Sequence, residues 1–204
     1  VTMTQQIYPP TPDAALAELM AGNERYVQGG WDLNDFSATR AATVEEHVPL
    51  AAILGCADAR VAAEMIFLRG PGDLFMVRVA GNFLSEYGLA SMEFAVRFLQ
   101  VPLLLVLGHT QCGALSTAVK VVEERTHLPG RLPYLIDAVE PAVHIARETN
   151  PDDLLRAAIE ANVRRQVQRL TTISPVINEA EAAGTTRVVG AVYELETGRV
   201  VLVD

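Results

Sequence analysis

Two short, uninterrupted apolar runs, Leu50 to Leu54 and Leu103 to Leu107, constrain this chain more than any other feature. Runs of that length without alternation fit strands buried on both faces, which is the pattern of a parallel sheet. Each run breaks off at a glycine and leads into polar, chemically capable residues. The first continuation is Gly55-Cys56-Ala57-Asp58-Ala59-Arg60, and the second is Gly108-His109-Thr110-Gln111-Cys112-Gly113. If both strands are parallel, both loops lie at carboxyl ends of one sheet, where open α/β folds build their sites. The chain has only two cysteines, and they fall in these two loops.

The rest of the chain alternates in the same way. Apolar spacing predicts a helix over Ala14 to Gln28, ended by Gly29-Gly30. An irregular stretch from Trp31 to Pro49 follows, with a short helix before Pro49. Strands are expected at Leu50 to Cys56, Leu74 to Ala80 and Val101 to Gly108. Helices are expected at Ala62 to Arg69, Ser85 to Gln100 and Gly113 to Arg125. Beyond Pro133 the pattern is helical over Tyr134 to Glu148, Pro151-Asp152 through Leu170, and Ile173 to Ala183. Arg187 to Leu195 and Arg199 to Val203 read as a strand pair around Glu196-Thr197-Gly198. The expected fold is therefore α/β. It has a mostly parallel central β-sheet flanked by helices, a C-terminal strand pair, and an N-terminal helical arm at about 12–30. At 204 residues, one domain over 1–204 is expected.

Cys56 and Cys112 as thiolates and His109 through a ring nitrogen form a soft donor set suited to tetrahedral zinc. Three protein ligands leave one position for either Asp58 or solvent. Asp58 on the metal closes the site. Asp58 held by Arg60 in a bidentate pair opens it to water, whose pKa zinc lowers from 15.7 towards about 7. Of the remaining histidines, His127 and His144 read as surface or helix-packing residues. Arg164, Arg165 and Arg169 read as a solvated helix face.

Half of the residues are apolar, which suggests a subunit interface, since no run approaches the roughly 18 residues of a membrane span. A net charge of −9 disfavours nucleic-acid and anionic-membrane partners. No secretory signal is visible at Val1 to Pro12, so a reduced, cytoplasmic metal site is expected rather than a disulfide.

The segments Cys56-Ala-Asp58-Ala-Arg60-Val61 and Gly108-His109-Thr-Gln-Cys112-Gly113 resemble the signature of the β-class carbonic anhydrases. Further similarities are Gly22-Asn23-Glu24-Arg25-Tyr26, Ala63-Glu64-Met65-Ile66-Phe67, Pro71-Gly72-Asp73-Leu74-Phe75, Arg78-Val79-Ala80-Gly81-Asn82, Ser91 to Val96, and Gly190 to Tyr193 with Thr197-Gly198. The resemblance implies one Zn²⁺ per chain on Cys56, His109 and Cys112, and reversible hydration of CO₂ to bicarbonate and a proton by a zinc-bound hydroxide. It implies that Asp58 orients the hydroxide and Arg60 orients Asp58. It further implies a homodimer, or an assembly of dimers, with the sites at subunit boundaries. His47, Phe75, Ala80, Gly81, Phe94 and Gly113 would surround the substrate.

Several positions depart from that pattern. His47 stands where the family often has glutamine, Phe94 where it often has tyrosine, and Val79 where it has asparagine. Ile53 is not the tryptophan of members with a bicarbonate-regulated closed site, which favours the open form at neutral pH. Two alternatives remain. One is hydrolysis of carbonyl sulfide or carbon disulfide on the same zinc, and the other is a non-enzymatic zinc module closed by Asp58.

Overall fold

The computed structural model, which describes residues 10–30, 37–45 and 47–203, sets the two apolar runs side by side. They form β1 (Ala51–Gly55) and β3 (Leu103–His109), which pair in parallel with Gly55 opposite Leu107. β2 (Leu74–Arg78) pairs in parallel with the other edge of β1. β4 (Arg187–Tyr193) pairs in parallel with β3, and β5 (Val200–Val203) pairs antiparallel with β4. The sheet order is β2-β1-β3-β4-β5. The C-terminal strand pair is thus part of the main sheet. Its first strand carries Val188, Val189, Ala191 and Val192, buried on both faces like β1 and β3.

Alternation along each strand divides the core into two layers. Ala52, Leu54, Leu104, Val106 and Val192 face one cluster. It is covered by α4 (Glu86–Leu99), α5 (Gly113–Glu124), α6 (Leu132–Glu148), α7 (Leu154–Ile173) and α8 (Pro175–Ala182). Ala51, Ile53, Leu103, Leu105, Leu107 and Ala191 face the other. There α1 (Pro12–Val27) and α3 (Ala63–Ile66) pack, with Ala15, Leu19 and Ile66 buried. The N-terminal helix is therefore docked on the sheet. The Thr11 hydroxyl caps it by accepting from Ala14 N, and Pro12 sits in its first turn. The short helix expected before Pro49 is α2 (Ser37–Ala42), and Trp31 lies outside the described residues.

One boundary differs from the sequence expectation for a clear reason. α7 runs on to Ile173 rather than stopping at Leu170, and α8 begins at Pro175. Ser174 precedes a proline and is held at φ −105°, ψ 111°, outside the helical region. Its hydroxyl then caps α8 by accepting from Ile177 N at 3.1 Å. Among the described residues, no helix is long and apolar enough to cross a membrane.

Candidate metal centre

The chain moves from β1 outwards to β2, then crosses back to β3 on the other side of β1. The crevice between β1 and β3 is thus the point where strand order reverses, and both polar loops open onto it. The register leaves Cys56 beside Gly108, one residue short of His109. Cys112 follows at the N-cap of α5, so its sulfur sits at a helix N-terminus, which favours a thiolate. The ligand atoms of Cys56, His109 and Cys112 lie within 4.8 Å of one another, and all three residues are buried.

The imidazole is oriented from behind. His109 Nδ1 donates to the Thr110 carbonyl at 2.9 Å, which turns Nε2 towards the sulfurs. Nε2 is buried and has no hydrogen-bond partner among the described residues. A buried nitrogen lone pair aimed at two sulfurs is what a soft divalent cation requires, and the donor set fits zinc. The thiols share a proton unequally. Cys56 is held well below the ordinary thiol range, first by the hydrogen bond from Cys112 and then by His109 and the Gly81 N–H. Cys112 is pushed up by Cys56 and by burial. Both cysteines are free.

Asp58 is engaged by Arg60. Arg60 Nε donates to Oδ1 at 2.9 Å, Nη2 donates to Oδ2 at 2.7 Å, and the Arg60 main-chain N–H donates to Oδ1 at 2.9 Å. The Arg60 guanidinium holds the Asp58 carboxyl well below the usual carboxylate range. Oδ2 nevertheless stands only 4.0 Å from His109 Nε2. Two arginines tie the loops together. Arg60 Nη2 also donates to the Gln111 carbonyl at 3.3 Å, while Arg78 donates to the carbonyls of Cys56 at 2.9 Å and Asp58 at 2.7 Å.

The other expected site residues divide by position. Ala80 and Gly81 follow β2 beside the cluster, and the Gly81 N–H donates to Cys56 Sγ at 3.3 Å. Gly81 has φ +82°, which glycine adopts without the Cβ penalty. Gly113 opens α5 immediately after Cys112. The Phe75 and Phe94 rings stack with centroids 6.3 Å apart, and Phe98 lies 5.0 Å beyond Phe94. Phe94 and Phe98 are 47% and 70% exposed, so among the described residues this aromatic face is largely uncovered. His47 lies elsewhere. A Cβ built on Gly72 meets His47 Cβ at 3.6 Å, which puts His47 at the end of the sheet where β1 and β2 begin. The ligands are at the opposite end, about 17 Å away along a five-residue strand. His144 is exposed and bonds Glu140 at 3.1 Å, away from the centre.

Sequence reading assigned no role to Arg78, Thr110, Asn162 or Gln166. For the last two a signal existed: amides four residues apart within an otherwise apolar helical stripe.

With this geometry in hand, comparison with known proteins is consistent throughout. The family model for carbonic anhydrase matches residues 51–200. Carbonic anhydrase 2 of Mycobacterium tuberculosis is 40% identical over 196 residues, covering 95% of this chain and 93% of its own length. The β-carbonic anhydrase CafA of Aspergillus fumigatus superposes with a TM-score of 0.73 at 26% identity, covering 94% of this chain and 90% of its own. One of two tetrameric β-carbonic anhydrases from Sordaria macrospora shares the fold, with a TM-score of 0.72 at 23% identity over 93% of this chain and 96% of that one. The strand-end cysteines, the histidine between them and the match over three quarters of the length lead to one assignment: the chain belongs to the β-class carbonic anhydrases, a family of lyases.

Proposed function

We propose that this chain holds one zinc ion through Cys56 Sγ, His109 Nε2 and Cys112 Sγ and catalyses the reversible hydration of CO₂ to bicarbonate and a proton. The observation that carries this reading is the bidentate hold of Arg60 on Asp58, which leaves three protein donors and one open position. A zinc ion held by Cys56, His109 and Cys112 would supply Lewis-acid chemistry, lowering the pKa of a water so that it is nucleophilic near neutral pH.

The chain's own groups do the rest. Asp58 stays anionic because Arg60 stabilises its charge, so Oδ2 can accept a hydrogen bond from solvent in the open position. The same arginine keeps that carboxylate from becoming a fourth ligand. Ala80 lies beside the ligand residues, and Gly113 leaves open space there. Phe75, level with Ala52 near the start of β1, and Phe94 stacked on it can supply an apolar wall only across a subunit boundary, as His47 can. Solvent and buffer carry the proton away.

The uncovered Phe94 and Phe98 support a homodimer or an assembly of dimers. β2, the exposed edge of the sheet beside them, supports the same reading. His47 can serve a metal centre only across such a boundary, since its own is at the far end of the sheet. Free thiols and a net charge of −9 support a reducing, cytoplasmic setting without nucleic-acid or membrane partners.

Asp58→Asn tests the reading. The expected variant keeps about one zinc per chain and loses CO₂ hydration by roughly 10²-fold or more. Loss of zinc on that substitution would mean that Asp58 is a ligand and the site is closed. Zinc-loaded wild type without hydratase activity at about pH 9, roughly two units above a water pKa near 7, would end the proposal. Faster sulfide release from carbonyl sulfide than CO₂ hydration would transfer it to the sulfur substrate.

A further inference from the structure

A buried polar chain behind the metal loops has no place in the roles assigned so far. α7 carries Asn162 and Gln166 one turn apart, 1% and 0% exposed, among Ala158, Ile159, Val163 and Leu170. Asparagine is a poor helix former, and either amide is costly to bury unless bonded. Here they are bonded in series. The Leu84 N–H donates to Gln166 Oε1 at 3.1 Å, and Gln166 Nε2 donates to Asn162 Oδ1 at 3.0 Å. Asn162 Nδ2 then donates to the Gly81 carbonyl at 2.9 Å, and the Gly81 N–H donates to Cys56 Sγ at 3.3 Å. Main-chain groups fix the direction at both ends, an N–H at Leu84 and a carbonyl at Gly81. Neither amide can flip without losing its bonds.

The turn they hold needs holding. Gly81 and Asn82 are consecutive left-handed residues, with φ +82° and +38°. Such conformations persist where the surroundings over-determine them. We propose that Asn162 and Gln166 are positioning residues of the metal centre, which fix this turn from α7 so that the Gly81 N–H remains on the Cys56 sulfur. An N–H on a thiolate draws electron density from the sulfur and orients its lone pairs, so it tunes the bond to the metal. The proposal rests on the zinc reading above.

Cobalt(II)-loaded and zinc-loaded protein tests it with spectroscopy and metal transfer. Wild type should show a thiolate-to-cobalt charge-transfer band; its absence would overturn the metal reading and this proposal together. In Asn162→Leu the band should move to lower energy, and zinc affinity measured against a competing chelator should weaken about 10-fold or more. Gln166→Met should change both in the same direction by less, because its lesion is one bond further away. It carries the test alone if Asn162→Leu does not fold. Leu170→Ala, buried on the same helix but outside the chain of bonds, should lower thermal stability and leave band and affinity unchanged. If the amide variants lose stability as Leu170→Ala does, with wild-type band and affinity, their role is structural only and the proposal fails.

Discussion

Gly108 is where α7 presses hardest on the metal loop, and substituting it yields a quantitative test of the packing. A β-carbon there would lie 2.6 Å from Val163 Cγ2, 3.5 Å from Ile159 Cγ2 and 3.7 Å from Val192 Cγ2. Carbon atoms pack at about 3.5–4.0 Å, so the first contact is short by about 1 Å. Val163 cannot turn aside. It is β-branched within a helix, and its other methyl already fills the space over Gly190, where a Cβ would meet Val163 Cγ1 at 2.6 Å. Overpacking of this kind costs roughly 1–3 kcal/mol. Reduced freedom of the unfolded chain returns about 0.4–1 kcal/mol. Gly108→Ala should therefore destabilise by about 1–2 kcal/mol, or roughly 2–8 °C in Tm for a chain of this size.

Val163→Ala removes two buried methyls, worth about 1.6 kcal/mol at roughly 0.8 each, plus a small cavity term. Independent lesions would together reach about 3–4 kcal/mol. In the double variant the new methyl fills the vacated space, so its loss should not exceed that of Val163→Ala alone. The expected coupling is about 1 kcal/mol or more in the favourable direction. Urea unfolding of the zinc-replete wild type and three variants measures it. Since His109 is the next residue, hydration should fall in Gly108→Ala and recover in the double variant. Additivity within about 0.5 kcal/mol, or a Gly108→Ala protein as stable as wild type, would refute the reasoning.

Two further predictions concern charge and assembly. Arg60→Met should free Asp58 to become a fourth ligand: zinc content stays near one per chain while hydration collapses, as metal analysis and stopped-flow assay would report. Because Arg60 depresses the Asp58 carboxyl, the pair stabilises the fold above the unfolded carboxyl value of about 3.9 and loses that contribution as pH falls below it. The Tm difference between zinc-free wild type and zinc-free Arg60→Met should hold from pH 7 to 5 and narrow below about pH 4. A difference that widens in acid would contradict the assignment. Phe98→Glu touches a side chain 70% exposed in one chain, so the monomer should remain folded while light scattering shows a lower mass. An unchanged mass would place the interface elsewhere.

What the sequence made legible follows from where the physics is local. β1 and β3 announce themselves because strands buried on both faces must be apolar throughout, and Gly55 and Gly108 are followed at once by Cys56 and His109 of the Cys-His-Cys cluster. Apolar spacing placed the N-terminal helix from Ala14, two residues inside its start at Pro12, but Ser174 misled, since a residue that ends one helix and caps the next leaves no gap in the pattern. The parallel docking of β4 on β3 was not read, although Val188 to Val192 are apolar on both faces. A hairpin explains the turn at Glu196 to Gly198 without revealing which neighbour its first strand joins. The role of Asn162 and Gln166 was hidden for a related reason. Their spacing says that they share a helix face, and only the tertiary fold says that this face looks at Gly81.

His47 shows the limit of reasoning within one chain. Counting from Cys56 suggests proximity, yet the intervening residues are an extended strand, and a strand carries its two ends as far apart as the chain allows. The same extension brings Cys56 to the crevice that His109 and Cys112 share. Proximity to one end of β1 therefore excludes the other, and His47 and Cys56 of one chain cannot meet at a single metal. If His47 touches substrate, a second copy must deliver it, and the uncovered aromatic face at Phe94 and Phe98 marks where that copy would pack. Mixing His47→Ala chains with Cys56→Ser chains decides the matter. Each homodimer lacks one requirement at both sites, whereas the mixed dimer carries one site with an intact Cys56 and a His47 from the other chain. Recovery of hydration on mixing is expected, and no recovery in a mixed dimer verified by mass would remove His47 from the site.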